Sequence, residues 1–251
     1  MNDPVRLRDE LVLGRRRLRT IFSSASPRLL EAGELFVGAD FSNRIYYLRA
    51  GWACQIRDLA NSRRAILDVY LPGDVIGIDT AVRARPLEHI LTLTPAIVAG
   101  ILAEDALIEL MADPPIALYI TCLLGQRQRR MDRLLAAISC LDARGRLAIM
   151  LLDFYKRLRR RKLISAPIYN LPLTQVQIGN YLGLTVVHIN RVLRSLRAEQ
   201  IVNVEKHSVM ILDFERLAIL VQKRAAATSR VTGTEGGLNK AAIRPAGEEE
   251  R

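Results

Sequence analysis

His188, Asn190, Arg191 and Arg194 lie within seven residues in the segment "TVVHINRVLRS", with Val186 and Val187 just ahead of them. Side chains of this kind grip and read a polyanion. An arginine fork donates two parallel hydrogen bonds to a guanine edge, an asparagine amide pairs with adenine or touches a phosphate, and a valine packs on a thymine methyl. His188 has two readings, a base or phosphate contact and a merely solvated surface residue, and Arg191 has the alternative of an ion pair along a helix face. Catalytic signatures are missing. There is no nucleophile elbow, no phosphate-cradling glycine loop and no H-E-x-x-H. Asp74 and Asp79, at and just after "LPGD", are carboxylates of the sort that hydrogen-bond turn backbone.

The elements that must position these residues are written around them, in "LTQVQIGNYLGLTVVHINRVLRSLR" from Leu173 to Arg197. Thr174 and Gln177 have capping-box spacing, so a helix begins at Gln175. Ile178 and Leu182 face inward, Gly179 admits a crossing helix, and Gly183 supplies the left-handed stop. Thr185 caps a second helix whose inner face is Ile189, Val192, Leu193 and Leu196, leaving Val186, Val187, His188, Asn190, Arg191, Arg194 and Ser195 outward. Two short helices crossing steeply make a helix-turn-helix, and its outward face is the one such a motif offers to a DNA groove. "IVNVEKHSVMILD" then reads as a two-stranded wing with its turn between Glu205 and Ser208, so that Lys206 and His207 reach toward a phosphate backbone. Lys206 as a plain solubilising turn residue is the competing reading.

Charge supports a polyanionic partner. The chain of 251 residues carries a formal charge of +11, and residues 126–162 alone hold 12 Lys and Arg against 3 acidic residues. A solvated basic helix face is the bland meaning of the same count, and "YKRLRRRK" resembles a nuclear-localisation or membrane-surface patch only by composition. Cys54, Cys122 and Cys140 are three and far apart, which argues against disulfides, shows no metal-ligand spacing, and suits buried neutral thiols. No run of about 18 uncharged apolar residues occurs and charges break up the N-terminus, so the expectation is a soluble cytoplasmic protein without a membrane partner.

Upstream, Gly33 to Ile101 consists of short apolar or alternating runs broken by turns, the pattern of an antiparallel β sandwich or barrel. After Pro114 and Pro115 the period becomes helical. A heptad seam runs through Ala117, Ile120, Leu124, Arg127, Met131, Leu134 and Ile138, fitting a long helix that pairs with a second helix or packs on the chain's own sheets. A charged Arg127 in that seam sets register or meets a bound group. A further helix is expected over Arg144 to Arg161. The tail from Ala225 lacks periodicity and large apolar residues and is expected to be disordered.

This order of parts resembles the CRP/FNR family of bacterial transcription regulators. The likeness is carried by "YYLRAGWACQIRDLANSRRAILDVYLPGDVIGID" and, more specifically, by "LPLTQVQIGNYLGLTVVHINRVLRSLRAEQIVNVE". The resemblance implies an α+β fold: a jelly-roll β barrel with flanking helices at residues 1–112, a dimerisation helix at 113–140, a winged helix-turn-helix at 141–224 and a tail at 225–251. It also implies a cytoplasmic homodimer on double-stranded DNA with a near-palindromic site, and contact with RNA polymerase if the protein activates. The DNA-binding residues it suggests are Thr174, Thr185, Val186, Val187, His188, Asn190, Arg191, Arg194 and Lys206. Val186 and Val187 stand where many members have an Arg-Glu pair, so the operator differs from theirs. Pro86, Leu87 and Glu88 stand where cyclic-nucleotide binders have Arg-Ser/Thr-Ala, and Glu88 would repel the phosphate. Three cysteines, none before Cys54, cannot give four-thiolate ligation of an iron–sulfur cluster. His89, Cys54 and Met111 have no surroundings that mark a haem ligand, so no cofactor is assigned. A cyclic-nucleotide-responsive regulator and a winged helix that binds protein are the alternatives.

Overall fold

The computed structural model describes residues 4–37, 44–59, 64–78 and 89–222. Helix α1 (Pro4–Ser24) is followed by β1 (Pro27–Leu30), β2 (Leu35–Val37), β3 (Arg44–Ala50), β4 (Ala53–Asp58), β5 (Arg64–Tyr70), β6 (Val75–Ile76), β7 (His89–Thr92) and β8 (Ala96–Leu102). All pairings are antiparallel, in two four-stranded sheets ordered β1-β8-β3-β6 and β2-β7-β4-β5. Among the described residues the sheets share no strand. The expected barrel is thus an open jelly-roll sandwich, filled between its layers by Leu30, Phe36, Tyr46, Leu48, Tyr70, Ile76, Ile90 and Val98.

Each sheet also buries its outer face, which period-2 alternation allows. On the first sheet, Ile45 and Ala99 point outward into a cluster with Leu18 and Phe22 of α1 and Ala103 and Leu110 of α2 (Ala103–Ala112). Ile116 and Ile120 of α3 (Pro114–Cys140) complete it. The start of α3 follows from "DPP": the Asp113 carboxylate accepts from the Ile116 N–H at 3.1 Å, and Pro114 has no N–H to leave unsatisfied. On the second sheet, Cys54, Ile56, Ile66 and Val69 meet α4 (Ala143–Arg160), in one core that continues into the C-terminal helices. Trp52 contacts Phe154 edge-on at 5.5 Å, and Phe154 stacks on Tyr181 at 6.2 Å. Each such ring pair adds about 0.5–1.5 kcal/mol beyond the area it buries.

Polar groups reinforce this junction. Asp74, on the turn after β5, is buried; it accepts from the Leu71 N–H at 2.8 Å, from Arg157 at 3.0 Å and from Arg161. Arg157 also donates to the Val69 carbonyl at 2.7 Å. Burial pushes the Asp74 carboxyl up, but the guanidiniums of Arg161 and Arg157 outweigh it and hold it at about 2. Part of the run "YKRLRRRK" is therefore internal structure: Arg157 is 3% exposed, and Arg161 donates to the Leu71 and Pro72 carbonyls at 3.0 and 2.8 Å.

The heptad seam of α3 divides. Ile120 is buried at 1% exposure in the cluster with α1, and Leu134 packs on the core around α4. Arg127 turns into the sandwich, 3.3 Å from Asp68, bonded to Gln55 and over the Tyr70 ring. Ala117 and Ile138 are half-buried. The division has a simple cause, since α3 must cover α1 and the sheets, and that uses the face on which Ile120 and Arg127 lie. Leu124 and Met131 stay exposed, and Leu135, outside the expected seam, joins them at 66% exposure. With Gln128 they form a stripe at spacings of 4, 3 and 4 along the helix.

After α4 come β9 (Ile168–Asn170), α5 (Gln175–Leu182), α6 (Val186–Ala198), β10 (Val202–Glu205), β11 (Ser208–Ile211) and α7 (Phe214–Gln222). The last three strands form a sheet ordered β10-β11-β9. No single helix among the described residues is long and apolar enough to cross a membrane. Asp79, Arg83, Pro86, Leu87, Glu88 and the tail beyond Gln222 lie outside the described residues.

Candidate nucleic-acid interface

The reading head is built from the predicted local signals. At the start of α5, the Gln177 N–H donates to the Thr174 hydroxyl at 3.2 Å and the Thr174 N–H to the Gln177 side chain at 2.8 Å, a complete capping box. Gly183 adopts φ +66°, the left-handed conformation that ends α5 without strain. A Cβ on Gly179 would lie 2.5 Å from the Leu184 carbonyl oxygen, so only glycine lets the turn fold back onto α5. The Thr185 hydroxyl accepts from the His188 N–H at 3.3 Å and lies 3.2 Å from His188 Nδ1, which fixes the ring at the start of α6.

Helix α6 is sharply two-faced. Ile189, Val192 and Leu196 are buried. Val186, Val187, His188, Arg191 and Arg194 are exposed, Val187 by 75%, with Asn190 half-exposed beside them. Neither Arg191 nor Arg194 has a hydrogen bond or ion pair among the described residues, so their forks are available. The arginines around them are engaged. Arg144 forms a bidentate pair with Glu199 at 2.7 and 2.8 Å. Its hydrogen bond holds the Glu199 carboxyl down at about 2, together with one from Ser195. Arg146 donates to the carbonyls of Ile138 at 2.7 Å and Leu141 at 3.0 Å, tying α4 to the end of α3. Arg197 donates to the Val204 carbonyl and so braces α6 against the wing.

Ser195 is corrected by this network. Expected to face a groove, it donates to Glu199 at 2.8 Å and accepts from Arg144 at 3.0 Å, because one helical turn brings it over Glu199. Arg144 and Arg146 were not singled out from the sequence; within a basic helix only their partners on α6 and α3 distinguish them from solvated residues. The wing turns at Lys206 and His207, with φ of 43° and 72°, and the pairing of Glu205 with Ser208 gives a two-residue hairpin. Lys206 stands exposed at the tip, while the His207 ring is anchored 3.2 Å from the Leu171 carbonyl oxygen.

The positive N-terminus of α6, the two unpaired arginines and the cationic wing tip thus lie on one head. That is the geometry of a winged helix-turn-helix that binds DNA, carried on a jelly roll. Known proteins show the same arrangement. A Crp-like helix-turn-helix domain matches residues 145–220. The chain is 29% identical over 184 residues to the anaerobic regulatory protein of Haemophilus influenzae, covering 73% of this chain and 71% of that one. It is 27% identical over 186 residues to the fumarate and nitrate reduction regulatory protein of Vibrio cholerae, covering 73% of each. Among solved structures, FixK2 from Bradyrhizobium japonicum superimposes with a TM-score of 0.67 at 22% identity, covering 78% of this chain and 96% of that one, a likeness of fold. The chain thus carries a Crp-like helix-turn-helix domain and over 73% of its length is similar to bacterial transcription regulators of the CRP/FNR type.

An iron–sulfur cluster does not fit the residues present. The three thiols lie on β4, in α3 and at its end, and burial pushes that of Cys54 up to about 12, against thiolate formation. No group of three or more His, Cys, Asp or Glu among the described residues is placed to hold a metal.

Proposed function

We propose that the chain works in the cytoplasm as a homodimer joined along the stripe Leu124, Gln128, Met131 and Leu135 of α3. Each protomer inserts α6 into the major groove of one half of a near-palindromic operator, the two heads about 34 Å apart. Arg191 donates to a guanine, Asn190 and Arg194 read or position beside it, and Val186 and Val187 pack on thymine methyls. Thr174, Thr185, His188 and Lys206 hold the backbone. On this reading residues 1–112 form the sensor-like unit, 113–140 the dimerisation helix and 141–224 the DNA-binding unit, with RNA polymerase a further partner at activated promoters.

The observation that carries the reading is the contrast on the head. The arginines at its base and flank are tied up in the fold, while Arg191 and Arg194 on the outward face of α6 have no partner among the described residues. The test is selection of binding sites from random duplex DNA by the purified protein, repeated with Arg191→Ala. A two-fold symmetric site should emerge, and the variant should bind it about 10- to 100-fold more weakly, with preference relaxed at one base pair per half-site. An unchanged motif would refute the assignment of Arg191. Binding that ignores salt would point to a protein partner instead.

A further inference from the structure

Below the reading head, α1, the turn after β5, α3 and α4 enclose a cleft of about 180 Å³, well above the roughly 10–15 Å³ needed for one water. Arg15, Arg130, Arg157, Arg160 and Arg161 converge on it, together with Tyr119, and none of its described lining residues is acidic. Five guanidiniums around one cleft repel each other, so the arrangement needs counter-charge. Among the described residues it comes from behind: Asp74 binds Arg157 and Arg161, Asp68 lies 3.1 Å from Arg130 and Asp153 lies 3.6 Å from Arg157.

The donors left over are the telling detail. Arg157 is 3% exposed, yet among the described residues its Nε and Nη1 have no hydrogen-bond partner, the Asp153 carboxylate standing 3.6 Å from Nη1 as an ion-pair partner. Arg130 Nε, also buried, is likewise unpartnered. Buried donors of a charged group are costly to leave unmade, and a bound anion would remove that cost here. At the mouth, Arg15 is exposed with no partner among the described residues, and Arg160 makes only a 3.4 Å contact with the Lys156 carbonyl in its own helix. The Tyr119 hydroxyl is kept protonated by burial, as a neutral donor on the same wall.

We propose that this cleft is a binding site for a small molecule bearing a phosphate or pyrophosphate group, which arginine forks match in charge and shape. The inference is independent of how α6 reads DNA. Its occupant would bridge α1, the sandwich and α4, and would stabilise the arrangement in which these elements converge.

The test is isothermal titration calorimetry on the full chain with inorganic phosphate, pyrophosphate and ATP, against sodium sulfate at matched ionic strength. Two paired variants accompany it: Arg15→Ala with Arg160→Ala at the cleft mouth, and Arg191→Ala with Arg194→Ala on α6. Saturable binding of at least one phosphate probe, one per chain, is expected. The cleft variant should weaken it at least about tenfold and the α6 variant should leave it unchanged. Pyrophosphate favoured over ATP would indicate a free anion, and ATP favoured over pyrophosphate a nucleotide. Binding that does not saturate, that sulfate reproduces, or that disappears only with the α6 variant would overturn the proposal. So would a cleft variant that binds DNA more weakly while the wild type ignores all three probes, because the arginines would then be contacts to DNA.

Discussion

Replacing Asp74 with asparagine should loosen the junction between the sandwich and the reading head by an amount the structure allows us to work out. The change keeps the shape of the side chain but removes its charge, leaving buried Arg157 with the Val69 carbonyl and, as its ion-pair partner, Asp153 at 3.6 Å. The fall of the Asp74 pKa from 3.8 to about 2 corresponds to about 2 kcal/mol at roughly 1.4 kcal/mol per unit. Truncating one member of a buried ion pair costs about 3–5 kcal/mol. Asparagine retains some hydrogen bonding, so about 2–4 kcal/mol is expected at pH 7, or a drop in Tm of roughly 5–15 °C for a chain this size. The pH dependence has a definite sign. A folded pKa below the unfolded one stabilises fully above pH ~4, and that stability is lost as pH falls from ~4 through ~2. The gap between wild type and Asp74→Asn should therefore be constant from pH ~7 to ~5 and narrow in acid, the other carboxylates cancelling in the difference. Urea unfolding followed by Trp52 fluorescence is the assay, since the chain's single tryptophan lies on Phe154 at that junction. A variant within about 0.5 kcal/mol of wild type at pH 7, or a gap unchanged at pH ~2.5, would refute the reasoning.

Three other outcomes are expected. Gly179→Ala places a Cβ 2.5 Å from the Leu184 carbonyl oxygen. It should destabilise by about 1–3 kcal/mol and abolish specific DNA binding while most helicity survives, as circular dichroism and a binding titration would register. Leu135→Glu should leave the protomer fold intact and shift monomer–dimer equilibrium at least tenfold toward monomer by analytical ultracentrifugation, since Leu135 is 66% exposed within the protomer. Lys206→Ala should weaken all DNA sequences alike and reduce the slope of log affinity against log salt by about 1.

What was legible in the sequence was local. The capping box at Thr174 and Gln177, the αL stop at Gly183 and the cap at Thr185 each need only a few neighbouring residues, and the structure contains all of them. The alternating runs of the sandwich were equally open to reading, though not its failure to close, which depends on which strands meet across space. The side that α3 turns inward was hidden for the same reason. Ile120 and Leu124 are both apolar, and only the arrival of α1 and the sheet decides that one is covered and the other left bare. Arg157 was the least legible residue. Inside a run of cations it resembles its solvated neighbours, and its burial rests on an aspartate more than eighty positions away.

The junction described around Trp52, Phe154 and Tyr181 also bears on how the gene product can be divided. Residues 145–220 match a Crp-like helix-turn-helix domain, but the hydrophobic interior of that segment is completed by side chains from β4 and β5. Cutting the chain between α3 and α4 would leave Phe154 and Tyr181 facing water on one fragment and Trp52, Ile56 and Val69 on the other. The two halves should consequently melt in one transition, and amides in β5 and α5 should exchange with solvent at similar rates. The border of the matched domain and the border of cooperative folding thus fall in different places.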